Sequence, residues 1–134
     1  MSIKRLTKDD IRRTVGTLNP VGHVVLAFKN DAVTADAVTA LHAAGFSADD
    51  TLAYLAVDAT PRLRERVETA SKGAGFGYEI TLMRRYLALA EEGSGWVIVY
   101  APDDAAVDRV TAVATRFAAS CAVRYRRLMT EDLV

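Results

Sequence analysis

The chain has 134 residues, 51% of them apolar and 25% charged, which suits one globular domain with a real core and excludes a mainly disordered protein. No stretch approaches the ~20 uninterrupted apolar residues of a membrane-spanning helix, so no membrane partner is expected. Lys+Arg and Asp+Glu number 17 each, so the chain lacks the overall basic field that draws proteins onto phosphate backbones, and no nucleic-acid partner is expected.

Thr7-Lys8-Asp9-Asp10 has the spacing of a helix-capping box, which predicts a short helix over 8–15 ended by Gly16 and the breaker run Asn19-Pro20-Val21-Gly22. Residues 1–22 therefore read as an N-terminal helical arm, and 23–134 as a single α/β domain. His23 to Phe28 (HVVLAF) is a nearly continuous apolar run, the pattern of a strand covered on both faces. Asn30 or Asp31 then caps a helix striped by Val33, Ala37, Val38, Leu41 and Ala44, stopped by Gly45. A second strand is predicted over Leu52 to Val57, which completes a first βαβ unit at 23–57.

Thr60-Pro61 reads as an N-cap followed by proline at the first helical position, opening a surface helix to Ser71 whose stripe is only Leu63, Val67 and Ala70. Gly73-Ala74-Gly75-Phe76-Gly77 breaks it, and helix resumes from Tyr78 to Glu92. The apolar arc of that second helix is wide, so the hairpin of 60–92 is expected to contain the most buried helix of the fold. Trp96 to Ala101 (WVIVYA) is a third strand. Pro102-Asp103 starts a helix striped by Ala106, Val110, Val113, Ala114 and Phe117. Ala122 to Leu128 then closes as a strand, with Arg124 and Arg126 marking it as an edge, so that a second βαβ unit spans 96–128.

A shift of 72 residues lays the first unit on the last: Asp31 meets Asp103, Asp36 meets Asp108, Val38 meets Val110, Thr39 meets Thr111 and Ala40 meets Ala112. Two βαβ units with right-handed crossovers place both helices on one face. The expected fold is α/β (α+β): a four-stranded ferredoxin-like sheet carrying the inserted hairpin and the N-terminal arm. Within the first unit, Asp31-Ala32-Val33, Leu41 and Ala44-Gly45-Phe46-Ser47-Ala48-Asp49-Asp50 resemble the repeat of YflT-like heat-induced general stress proteins. The resemblance covers residues 24–57 and implies a stress association; it carries over no catalytic residue.

The single Cys121 cannot close an intramolecular disulfide, and MSIKRLTKDD lacks the apolar region of a secretory signal, so a cytoplasmic location is expected. With no paired cysteine or neighbouring histidine, Cys121 reads as a small buried apolar residue. His23 and His42 lack companions at ligand spacing, and neither a metal nor a cofactor is expected. No Gly-x-Ser-x-Gly elbow is present: Gly93-Ser94-Gly95 has the wrong spacing and follows a helix, so no catalytic residue is assigned. Gly73, Gly75 and Gly77, ahead of a helix and with Lys72, Arg62 and Arg64 nearby in sequence, are the raw material of an anion site. They follow a helix rather than a strand, however, and fit no phosphate-loop spacing, so a helix–helix joint is the expected role.

Two functions from different classes remain. The first is a non-enzymatic protein acting by self-association. The two long strands are apolar on both faces, the two striped helices shield one face, and the remaining face must meet the hairpin or a second chain, making a homodimer or higher homo-oligomer the expected state. Net charges of +4, −5, +3 and −2 over 1–30, 31–60, 61–90 and 91–134 would orient such a pair. The second is a small-ligand-binding protein or enzyme with a pocket between sheet and hairpin. Its candidate residues are His23, Tyr54, Tyr78, Tyr86 and Tyr100, with Arg84 and Arg85 beside them.

Overall fold

A computed structural model describes residues 4–13, 19–72 and 77–134. Its elements run α1 (Lys8–Arg13), β1 (His23–Phe28), α2 (Asp31–Ala43), β2 (Thr51–Tyr54), α3 (Ala56–Lys72), α4 (Gly77–Glu91), β3 (Gly95–Tyr100), α5 (Asp104–Arg116), β4 (Cys121–Tyr125) and β5 (Thr130–Asp132). The strands form one antiparallel sheet in the order β2-β3-β1-β4-β5. The protein is thus α+β, with five strands rather than four. No helix among the described residues is long and apolar enough to cross a membrane.

Local chemistry accounts for the helix starts. The Thr7 and Asp10 side chains each accept the other residue's backbone N–H, at 3.1 and 3.0 Å, which closes the predicted capping box of α1. Asn30 accepts from Val33 N at 2.9 Å and Asp103 from Ala106 N at 2.8 Å, capping α2 and α5. Gly45, at φ +103°, supplies the left-handed turn that ends α2. At Gly95 the requirement is closeness: a Cβ there would lie 2.8 Å from Asp31 Oδ1, so the first turn of α2 rests directly on the start of β3.

Every residue of β1 is buried, and alternation along the strands divides the core in two. Val24, Leu26, Phe28, Val97 and Val99 pack with Ala37, Leu41, Val110 and Ala114 of α2 and α5. On the other face Val25, Ala27, Trp96 and Ile98 pack with Leu63 of α3, with Leu82, Met83 and Tyr86 of α4, and with Ile11 of α1. The hairpin therefore lies across the second face, and the leftover apolar surface from which self-association was expected is covered within one chain. Residue 23 pairs with 100 and 28 with 95, so a 72-residue shift of one strand onto the other carries the β1–β3 register onto itself.

Several expected boundaries move. The strand placed at 52–57 stops at Tyr54, and α3 begins at Ala56 rather than at Pro61. Ala56 N–H donates to Asp31 Oδ1 at 3.0 Å, and Thr60 Oγ1 donates back to Ala56 O at 2.8 Å. These bonds hold a first turn that Pro61, lacking an N–H, cannot hold. β4 is not an edge: it pairs with β1 on one side and β5 on the other. Its Arg124 meets Asp104 at 2.9 Å and Glu131 at 3.8 Å, so the charge read as an edge marker serves cross-strand and helix pairing. Among its described side chains, α4 buries Leu82, Met83, Tyr86 and Ala90 and leaves Leu87 and Leu89 at the margin, while α5 buries five residues. The 73–76 joint lies outside the described residues.

Candidate functional site

Between the sheet and the hairpin lies a recess of about 470 Å³, counting its open mouth. Its floor is Val25, Trp96 and Ile98 of the sheet; α3 supplies Ala59, Arg62, Leu63 and Arg66; Tyr86 of α4 and Ile11 of α1 close its ends. The spacing 59, 62–63 and 66 turns one side of α3 toward the floor. That places Arg66 among apolar neighbours, only 9% exposed.

Polar atoms are distributed unevenly around this recess. Tyr86 and Trp96 meet ring to ring with centroids 5.2 Å apart, and the Tyr86 hydroxyl lies 2.8 Å from that of Tyr125. Tyr54 Oη and Trp96 Nε1 are both shielded from bulk water, and neither has a hydrogen-bond partner among the described residues. Burial raises the Tyr54 phenol, with Arg62 and Arg66 pulling it back. Burial, and then the adjacent Arg62 cation, lower the Arg66 guanidinium. The Tyr86 phenol is pushed well up by burial and by Tyr125. Each phenol therefore keeps its proton at neutral pH.

The N-terminal arm is tied down at both ends. Arg66 donates to Ile11 O at 3.0 Å. Leu6 N–H donates to His23 Nε2 at 3.2 Å, which leaves the His23 proton on Nδ1, 3.0 Å from Val21 O. Burial lowers the His23 pKa, against the opposing pull of the Val21 carbonyl and of Asp50. The His23 and Tyr100 rings stand 5.2 Å apart, and Arg5 lies 5.1 Å over Tyr100 while pairing with Asp50.

Of the residues singled out from sequence, Tyr54 and Tyr86 line the recess. His23 and Tyr100 form a separate cluster under the arm. Tyr78 falls in α4, with its side chain outside the described set. Arg84 and Arg85 do not reach the recess: both are exposed, and Arg85 meets Asp132 at 3.3 Å. Their position in α4, one and two residues before the buried Tyr86, turns them away from the core. Of the anion-site candidates, Lys72 ends α3 and Gly77 opens α4, while Gly73 and Gly75 are not described. Cys121 is buried, and burial raises its thiol to about 11, so it stays protonated.

Trp96, Arg62, Arg66 and Ile11 were not picked out as pocket residues. The signal for Trp96 was parity, since it shares a strand face with Ile98 and Tyr100. The signal for Arg66 was its helical spacing from Ala59 and Leu63. Compared with known proteins, the chain matches no family model, no curated protein and no solved structure at a significant level.

Proposed function

We propose that this protein binds a small molecule in the recess between the sheet and the α3/α4 hairpin, without catalysing a reaction there. The observation that carries the reading is the pair Tyr54 Oη and Trp96 Nε1, shielded and unpartnered on residues that line an open-mouthed recess. A buried donor without an acceptor costs about 1–3 kcal/mol, and a ligand acceptor offsets that cost once the side chain turns its donor toward the recess. The lining presents donors and apolar carbon and no carboxylate or imidazole, a set that supports binding over acid–base chemistry.

Trp96 is the only tryptophan, so its indole N–H gives one resonance in an isotope-labelled sample. Small apolar compounds with an acceptor group are expected to shift that resonance saturably. Ala59→Phe, which fills the recess, is expected to abolish the shift while the remaining amide spectrum stays folded. A panel that leaves the indole resonance in place, or an equal shift in Ala59→Phe, overturns the reading.

Self-association is the second reading, now seated elsewhere. Leu55 and Val57 are 52% and 73% exposed where the edge strand β2 runs into α3, an apolar spot beside an open strand edge. A mass of 14.5 kDa with no concentration dependence in sedimentation equilibrium removes it. Part of the same proposal is a ferredoxin-like origin from two βαβ halves. The self-consistent β1–β3 register and the shared face of α2 and α5 support it; β5 and the inserted hairpin depart from it. A stress-linked setting is proposed on the resemblance of residues 24–57, and a cytoplasmic one on the single cysteine.

A further inference from the structure

The recess opens beside a second, larger cleft, and Tyr54 and Arg62 form a wall of both. The inner space is lined mainly by carbon. The outer cleft is lined by Lys8, Asp9 and Arg12 in addition to the shared pair, and its one acid, Asp9, is engaged by Arg12. Lys8 Nζ lies 4.9 Å over the Tyr54 ring, so that ammonium is held at the shared wall. Arg62 is exposed and meets no carboxylate among the described residues.

The boundary between an apolar space and open water thus carries two cations, Lys8 and Arg62, and the Tyr54 phenol. A neutral guest would fill the inner space and leave the cations as they are. A carboxylate at the same boundary would accept from Arg62 in the bidentate geometry that a guanidinium prefers, and its apolar body would occupy the inner recess. Resting on the binding reading above, we infer that the ligand is an amphipathic organic acid. Its apolar body lies against Trp96 and Leu63, and its carboxylate is held at the mouth by Arg62 with Lys8 beside it.

Hexanoate and hexanol test this as a pair, since they share chain length and differ in charge. Each is titrated into the full-length protein at low ionic strength, with the Trp96 indole resonance as the readout. Hexanoate is expected to bind about ten-fold more tightly or better, by a margin that shrinks as salt is raised. Arg62→Gln is expected to bring the two dissociation constants together, and Arg62→Lys to restore part of the preference. Because Arg62 is exposed, the variants should melt with the parent, and a matched amide spectrum verifies this. Equal binding of the two probes to the parent overturns the acid assignment and leaves the recess as a binding site. A preference for hexanoate that survives Arg62→Gln also overturns it, because the charge is then read elsewhere. Absence of any saturable shift with either probe overturns the binding reading itself.

Discussion

On the α2/α5 side of the sheet, Val24, Leu26, Phe28, Val97 and Val99 pack with alanines, valines and Leu41. On the α3/α4 side, the alternate positions of the same two central strands are His23, Val25, Ala27, Trp96, Ile98 and Tyr100, in the company of Tyr54, Tyr86, Tyr125 and Arg66. One side buries carbon against carbon. The other adds rings, hydroxyls and a guanidinium to its aliphatic carbon, and leaves two donors without a partner among the described residues. Buried unpaired polar atoms are few in folded proteins, and each calls for a physical reason. The difference between the faces is what the binding proposal rests on.

That comparison breaks most readily at large apolar side chains. Leu41→Ala, on the sealed side, is expected to cost about 2–5 kcal/mol in denaturant unfolding, the range for a fully buried leucine that leaves a cavity. Leu63→Ala, whose side chain already borders the recess, is expected to cost less, because part of its surroundings is empty beforehand. Equal losses in the two variants would mean that the recess is closed in solution.

A finer probe is one substitution made at two tyrosines of the recess. Tyr86→Phe removes the bond to the Tyr125 hydroxyl and is expected to cost about 0.5–1.5 kcal/mol. Tyr54→Phe removes a shielded hydroxyl that has no partner among the described residues, so thermal melting is expected to show no loss or a small gain. A loss at Tyr54 comparable with that at Tyr86 would reveal a partner for Tyr54 and weaken the binding reading.

The smallest expected effect is a dependence on pH. The imidazole of His23 is held neutral by burial, its pKa below the ordinary 6.5. Its surroundings are the Val21 and Pro20 carbonyls, Asp50, the Tyr100 ring and Arg5. As pH falls through about 6.5 the unfolded chain takes up a proton that the folded chain refuses, so stability declines until the lowered folded pKa is reached. Above about 6.5 both states are neutral and this contribution is constant. His23→Gln is expected to flatten the slope between about pH 7 and about pH 5, a range in which few other groups titrate, as read by melting temperature.

Strand and helix identities on the sealed side were legible in the sequence because each rests on a local signal. Asn30 and Asp103 cap, Gly45 stops, and the Ala/Val stripes repeat at helical spacing. What was not legible depends on partners far along the chain. The start of α3 at Ala56 needs the Asp31 carboxylate, and β5 needs Arg124 opposite Glu131. Tyr54 and Tyr86 were picked out from sequence because aromatic residues on a strand and on a helix stood ready to meet across the hairpin. Arg66 and Ile11 were not, since nothing local indicates that the guanidinium of one folds over the carbonyl of the other. The sequence argument for self-association left the second sheet face to either the hairpin or a second chain, and only the hairpin's position across that face decides between them.

The strand order has a consequence for how the chain comes off the ribosome. β1 is flanked by β3 and β4, and β2 pairs only with β3, so the first two strands to be made share no ladder with each other. A nascent chain that has emerged through α3 holds two apolar strands with no sheet to join, and the sheet can begin only once residues 95–100 are available to serve both. Loop closure over such separations makes for slow folding. Until then β1, buried on every residue in the finished fold, is the segment most exposed to aggregation and to chaperone capture.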